Sequence, residues 1–259
     1  MYTFVTNKNG KGKQGTLVAV IKGTLSKDIV ATLMKLSENK RLQVKEVTLD
    51  MAKNMELAVK NVFVNASLVT DRFHVIKLAI EAMQHIRVNL RWDELDKENE
   101  AIKQAKEKQI RYEPIILENG ETPKQLLARC KYILAKKPND WTDNQVQRAN
   151  LLFKYFPQLQ TAYHHTLSFR NIYENANKSL AKIALEKWIG KINTEQIKPF
   201  FTVANTVRNN LENILNFFNN RNTNANAESF NAKIKLFRAN LRGVTDTSFF
   251  LFRLHKLFA

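Results

Sequence analysis

Large apolar residues recur every three to four positions near the C-terminal end, at Phe230, Ile234, Phe237 and Leu241. At about 100° per residue these four share one face of a helix that begins near residue 223. Glu228, Asn231, Lys235 and Arg238 fall on the opposite face. Four apolar anchors hold that polar face rigidly, and it carries one carboxylate, one amide and several cations. A carboxylate ligates a hard metal ion through oxygen, and cations beside it hold phosphates. The same pattern also fits a surface helix with a solvated polar face.

The N-terminal part alternates differently. Residues 2–6 have the period of a strand, Asn9-Gly10-Lys11-Gly12 is turn material, and 16–21 is a second, more apolar strand, so the segment predicts a hairpin. Ser26 is the expected N-cap of a helix reaching about residue 36, with Ile29, Leu33, Met34 and Leu36 inward. A short strand over 44–51 ends in Asp50, a helix spans 53–62, and a strand over 66–70 runs into Asp71-Arg72-Phe73-His74. Strand, strand, helix, strand, helix, strand predicts an α/β fold with a mixed sheet under helical cover. From 75 to 222 the pattern turns helical. One helix continues through Ile76, Ala79, Ile80, Met83 and Ile86, a solvated one covers 91–108, and 111–123 is a loop. Further helices are expected over 124–135, 142–155, 157–175, 179–189 and 194–219. The frequent aromatics there, among them Tyr163, Phe169, Trp188 and Phe200, sit at helical spacing and are expected in a core. This divides the chain into 1–74, a helical insertion over 75–222, and 223–259.

Charge changes the picture. In 259 residues, 41 Lys and Arg face 24 Asp and Glu, a formal net charge of +17. Such a surplus favours a polyanionic partner, most simply nucleic acid. A membrane surface would attract it too, but no apolar run is long enough to span a bilayer. The single cysteine, Cys130, excludes an internal disulfide and a cysteine-rich zinc site, and reads as a buried thiol.

Two acids lie where an open α/β sheet gathers ligands, at the carboxyl ends of strands: Asp50 and Asp71. Either also fits a helix N-cap or a turn. His74 is a candidate metal or substrate ligand, or a hydrogen-bonded core histidine. The adjacent His164 and His165 do not share a helix face, which argues against a metal site there. There is no internal repeat, phosphate-binding glycine loop or Ser-His-Asp signature.

Three stretches, in order, resemble the DDE transposases of bacterial insertion sequences, the ISL-type group most closely. They are Val47-Thr48-Leu49-Asp50-Met51, Thr70-Asp71-Arg72-Phe73-His74-Val75, and the segment from Thr223-Asn224 to Lys235 with its Asn-x-x-x-Glu-x-x-Asn-x-x-Ile-Lys pattern. Arg242-Gly243 and Phe249-Phe250-Leu251-Phe252-Arg253-Leu254 fit as well, so the resemblance spans essentially the whole chain. It implies a ribonuclease-H-like catalytic sheet interrupted by a helical insertion. It implies Asp50 as the second catalytic acid and Glu228 as the third, with Asp71 a further metal contact and Arg72 and His74 in support. It implies a pair of Mg²⁺ (or Mn²⁺) ions that activate a water or 3′-hydroxyl for in-line displacement at a phosphodiester. The implied partner is double-stranded DNA, the element's terminal repeats and its target, contacted by Asn224, Asn231, Lys233, Lys235, Arg238 and Arg242. A homo-oligomer and a cytoplasmic, nucleoid-associated location follow from the same resemblance.

One departure stands beside these matches. The family's first acid lies on the first strand of the sheet, just before the hairpin, whereas here no acid precedes Asp28, which falls in a helix. The first catalytic Asp and its strand are therefore expected to be lacking, so that the chain is a catalytic-domain fragment, marginally stable and inactive alone. The alternatives are a non-catalytic DNA-binding protein that competes with an intact transposase, and a helical interaction module whose charge is merely solubilising.

Overall fold

The computed structural model describes residues 1–243 and 245–259, and they form two compact units, 1–74 with 210–259, and 75–209.

The first unit opens with the expected hairpin. Strands β1 (Tyr2–Thr6) and β2 (Leu17–Lys22) pair antiparallel, in register from Tyr2↔Lys22 to Val5↔Ala19. The register then slips to Thr6↔Leu17, leaving Val18 as an extra, exposed residue. A one-residue slip exchanges the faces of everything beyond it. Leu17 therefore joins Phe4 and Val20 on one face, while Val5, Ala19 and Ile21 line the other. Helix α1 (Ser26–Leu33) follows, then α2 (Glu38–Leu42). Ser26 is not the cap: Leu25 holds that position with no side-chain hydrogen bond, and Ser26 is the first helical residue. Strand β3 (Glu46–Leu49), helix α3 (Lys53–Val62) and strand β4 (Ser67–Thr70) form a βαβ unit, with β3 and β4 parallel from Glu46↔Ser67 to Leu49↔Thr70.

The two strand pairs are separate two-stranded sheets. Yet they lie over one core, in which Ile29 and Leu33 of α1 and Ala58, Val59 and Val62 of α3 pack with Ile21 and Leu68. Each buried Ile, Leu or Val side chain there contributes about 1.5–3 kcal/mol by leaving water. Lys8, just past β1, reaches β3: its Nζ donates to Thr48 Oγ1 at 2.6 Å and lies 3.4 Å from Glu46 Oε1.

Helix α4 (Arg72–Glu107) merges the two helices expected before residue 108 into one of 36 residues, and most of it belongs to the second unit. That unit continues through α5 (Pro123–Arg129), α6 (Asp143–Tyr155), α7 (Pro157–Ile172), α8 (Lys178–Glu195) and α9 (Lys198–Asn209). Helix α5 stops earlier than expected. The Leu127 carbonyl, which would accept from residue 131 in a continued helix, instead accepts from Arg87 Nη1 at 2.9 Å. Much of the aromatic core is there: Tyr163, Phe169 and Phe200 are buried, Phe169 packs on Trp188 with centroids 4.6 Å apart, and Trp188 Nε1 donates to the His165 carbonyl, whereas Tyr155 is exposed. His165 is buried with Nε2 2.5 Å from a Glu195 carboxylate oxygen.

The chain then re-enters the first unit. The single helix expected over 194–219 is broken into α9, α10 (Leu211–Leu215) and α11 (Phe217–Asn220). Asparagine amides divert it, because they offer hydrogen bonds that compete with helical ones. Asn213 Nδ2 donates to Glu56, Asn216 Nδ2 to the Leu68 carbonyl and Asn220 Nδ2 to Glu46, which fastens residues 210–222 to the βαβ unit. Helices α12 (Ala225–Asn240) and α13 (Thr247–Phe258) complete the unit.

Candidate metal and nucleic-acid site

Helix α12 holds the polar face expected from the sequence. Phe230 and Ile234 are buried with Leu17, Phe250 and Leu254, and Phe237 and Leu241 pack at the edge of that cluster. The Phe230 ring meets Phe258 edge-on at 5.0 Å. Helix α13 is held in place by Asp246, whose carboxylate caps it by accepting from the amides of Ser248 and Phe249. Glu228, Asn231, Lys235 and Arg238 are exposed on the other side of α12. Glu228 sits near the helix N-terminus, where the macrodipole favours a negative charge.

The parallel pairing of β3 and β4 brings the other two acids to one end of that sheet. Leu49 pairs with Thr70, so Asp50 and Asp71 each follow the last residue of neighbouring strands, and the Asp71 amide donates to the Leu49 carbonyl at 3.0 Å. They differ in environment. Asp50 is exposed, and its Oδ1 accepts from the Ala52 amide at 3.3 Å in the turn into α3. Asp71 is fully buried. Its Oδ1 accepts from the Phe73 amide in the first turn of α4, while its Oδ2 has no hydrogen-bond partner.

That unpartnered oxygen faces His74. Its Nδ1, likewise buried and without a hydrogen-bond partner, lies 3.4 Å from Asp71 Oδ2. Glu228 completes the group from a helix far along the chain: one ligand atom each from Asp71, His74 and Glu228 lie within 4.8 Å of one another. Asp50 stands outside this group at the same strand end. Arg72 turns to aromatic surfaces, its guanidinium 5.1 Å over the Phe73 ring and 5.7 Å over the Phe217 ring. Two oxygens and one nitrogen at this spacing are a donor set for a divalent cation, and a buried carboxylate oxygen with no partner is costly without one.

The cations gather around α12. Lys233 Nζ donates to the Gly12 carbonyl at 3.2 Å in the loop between β1 and β2, a site where an added Cβ would come within 2.7 Å of that nitrogen. Lys11 and Gly12 both have positive φ, and the loop presents exposed Lys11 and Lys13 beside Lys233. Lys235 and Arg242 are also exposed, and Arg238 lies over the Phe250 ring at 5.7 Å. Asn224 is the residue preceding α12, its carbonyl accepting from the Glu228 amide. Lys11 and Lys13 are absent from the expected DNA-contacting set, because turn chemistry alone accounts for their loop. Lysines interleaved with glycines in a hairpin loop are the signal that points to them. His74, a candidate metal ligand by its own chemistry and a supporting residue on the family resemblance, is one of the three residues whose atoms converge. Its three-residue spacing from Asp71 at a helix start sets both on one side of the turn.

This is a helix-rich α/β protein with an acid-lined, metal-capable strand end and a basic helix leading from it. The chain belongs to the ISL3-type DDE transposase family, whose model, described as "Transposase", matches residues 1–254. Comparison with curated proteins and with solved structures gives no match. The family's general chemistry is polynucleotidyl transfer on DNA. Among the described residues no helix is long and apolar enough to cross a membrane.

Proposed function

We propose that this chain is the catalytic region of an insertion-sequence transposase, with a ribonuclease-H-like α/β arrangement in which Asp50 and Glu228 are catalytic carboxylates and Asp71 a further metal contact. The observation that carries the reading is the meeting of Glu228 with the strand end where Asp50 and Asp71 emerge side by side. Divalent ions, Mg²⁺ or Mn²⁺, supply the activation of a water or 3′-hydroxyl and the neutralisation of charge in the in-line displacement. The chain's own contribution is to hold the acids on a packed scaffold and to seat DNA. Lys233, Lys235, Arg238 and Arg242, with Asn224 and Asn231, bind the phosphate backbone of the terminal repeats and target beside the acids, and Lys11 and Lys13 extend that surface. Neither β1 nor β2 carries an acid. On this reading strand transfer requires a third carboxylate, in addition to Asp50 and Glu228, on a strand joining the two open sheets.

The test is duplex binding across a salt series. Affinity should fall steeply as salt rises. Lys233→Ala with Lys235→Ala should reduce the slope of log K against log salt by about 0.9 for each phosphate that is no longer neutralised. Affinity that does not respond to salt would remove the nucleic-acid reading and favour the helical interaction module. Addition of a strand bearing an acid should bring Mg²⁺-dependent cleavage of terminal-repeat DNA. Tight, salt-dependent binding that never leads to cleavage would favour the non-catalytic competitor.

A further inference from the structure

We propose that Asp71, His74 and Glu228 bind a single divalent transition-metal ion, with His74 Nδ1 as a direct ligand. The inference extends the metal centre proposed above and rests on Glu228 belonging to it, but it concerns a different donor set from Asp50 and Glu228.

Three observations converge. The first is the orphaned pair: Asp71 is fully buried, its Oδ2 and the Nδ1 of His74 are both sequestered from solvent, and neither has a hydrogen-bond partner. A direct imidazole–carboxylate hydrogen bond would satisfy both, yet the two atoms stand 3.4 Å apart without making one. The second is that distance itself. Two ligand atoms each about 2.1 Å from an ion, at a tetrahedral angle, lie about 3.4 Å from each other. The third is the division of labour within Asp71. Its Oδ1 is occupied by the Phe73 amide, which fixes the carboxylate plane and leaves Oδ2 aimed at the ion position. Glu228 supplies the third ligand from an exposed side chain on a rigid helix, so it can close on an ion after entry.

The donor chemistry names the class of ion. Magnesium takes oxygen ligands in a near-ideal octahedron and keeps its waters. An imidazole with two carboxylates suits Mn²⁺, Co²⁺ or Zn²⁺ and ranks them by the usual order of first-row affinity. A His74 ligand therefore tilts this donor set toward Mn²⁺, Co²⁺ or Zn²⁺ over Mg²⁺.

The experiment is titration of the whole chain with Co²⁺ as a spectroscopic probe and Zn²⁺ by calorimetry, against Mg²⁺ as competitor. One equivalent should bind, with visible d–d absorption showing nitrogen and oxygen ligation, and millimolar Mg²⁺ should not displace it. His74→Ala and, separately, Glu228→Gln should each weaken Co²⁺ and Zn²⁺ binding at least about tenfold. Substitution of the exposed His255 by Ala should not. Glu228 is exposed, so its variant tests the site without disturbing the core. Absence of binding to the native chain would overturn the proposal, as would binding that is unchanged in both variants or lost equally in His255→Ala. Metal binding is read here without DNA. A site that binds Co²⁺ through His74 in a chain that ignores DNA would sustain this inference and sink the transposase reading. DNA binding and Mg²⁺-dependent cleavage without a Co²⁺ site would do the reverse.

Discussion

Phe230→Ala tests whether the apolar face of α12 sets the position of Glu228. Phe230 is 1% exposed and lies between Leu17 of β2 and the apolar side of α13. Truncation removes most of a buried ring and leaves a cavity that the two helices cannot fully close, which costs about 3–5 kcal/mol. The edge-on packing with Phe258, of the kind worth about 0.5–1.5 kcal/mol, falls within that total. A domain has only about 5–15 kcal/mol of stability, so α12 and α13 should loosen before the βαβ core does. Leu236, on the same helix but 63% exposed, gives the control, and Leu236→Ala should change stability by about 0.5 kcal/mol or less. Trp92, Trp141 and Trp188 all lie in the 75–209 unit, so tryptophan fluorescence would report the wrong unit. Amide hydrogen exchange followed by mass spectrometry reads α12 directly. Exchange over Ala225–Asn240 should accelerate strongly in Phe230→Ala, with 75–209 unchanged, and Co²⁺ affinity should fall because Glu228 is no longer held against Asp71. A cost below about 1 kcal/mol, or equal effects from Phe230→Ala and Leu236→Ala, would refute the anchoring argument.

Two further predictions concern the 75–209 unit. Burial acts to raise the carboxyl pKa of Glu121, but hydrogen bonds from Arg129 and Asn119 and the charge of Arg148 outweigh it and hold it below the ordinary range. The stability this supplies is complete above the unfolded carboxylate value of about 4.3. It is lost as pH falls through the folded value, so urea midpoints of this unit should drop below about pH 4, and Glu121→Gln should flatten that drop. At neutral pH Glu121→Ala should cost about 1–3 kcal/mol by stranding two partly exposed arginines. Burial also pushes the Cys130 thiol up to about 12. Iodoacetamide at mildly alkaline pH should therefore leave the native chain unlabelled and modify it only as it unfolds, and labelling at the rate of a free thiol would contradict the burial.

Local period carries most of the elements. The alternation of residues 2–6 and the two-sided apolar spacing of 53–62 are each set by residues within one or two turns, and β1 and α3 appear with those bounds. Where a remote partner decides, the pattern misleads. Val18 looks like any strand residue, and only pairing with β1 makes it the bulge that moves Leu17 to the other face. The asparagines of 210–220 read as helix-compatible until their amides find Glu56, Leu68 and Glu46, residues well over a hundred positions away. These hydrogen bonds also place 210–222 with the first unit, which no periodicity in the segment itself could reveal.

The site shows the same division within a single side chain. Asp71 fits both a helix cap and a metal ligand by its sequence position, and the structure gives one oxygen to each circumstance. Oδ1 caps α4 through the Phe73 amide, while Oδ2 is buried without a hydrogen bond beside His74 and Glu228. The cap is local chemistry, legible from an acid before a helical pattern. The second oxygen acquires its meaning only when α12 returns, and α12 can return there only because Phe230 and Ile234 find Leu17 across the hairpin. The apolar face of α12 is therefore the most informative stretch of the chain. It determines which residues are buried, and through them the side on which Glu228 stands. It does not identify the residues waiting at the other end of the contact. That Asp71 stands beside Asp50 at one strand end and meets Glu228 there follows from the register Leu49↔Thr70, a product of pairing between strands separated by a helix.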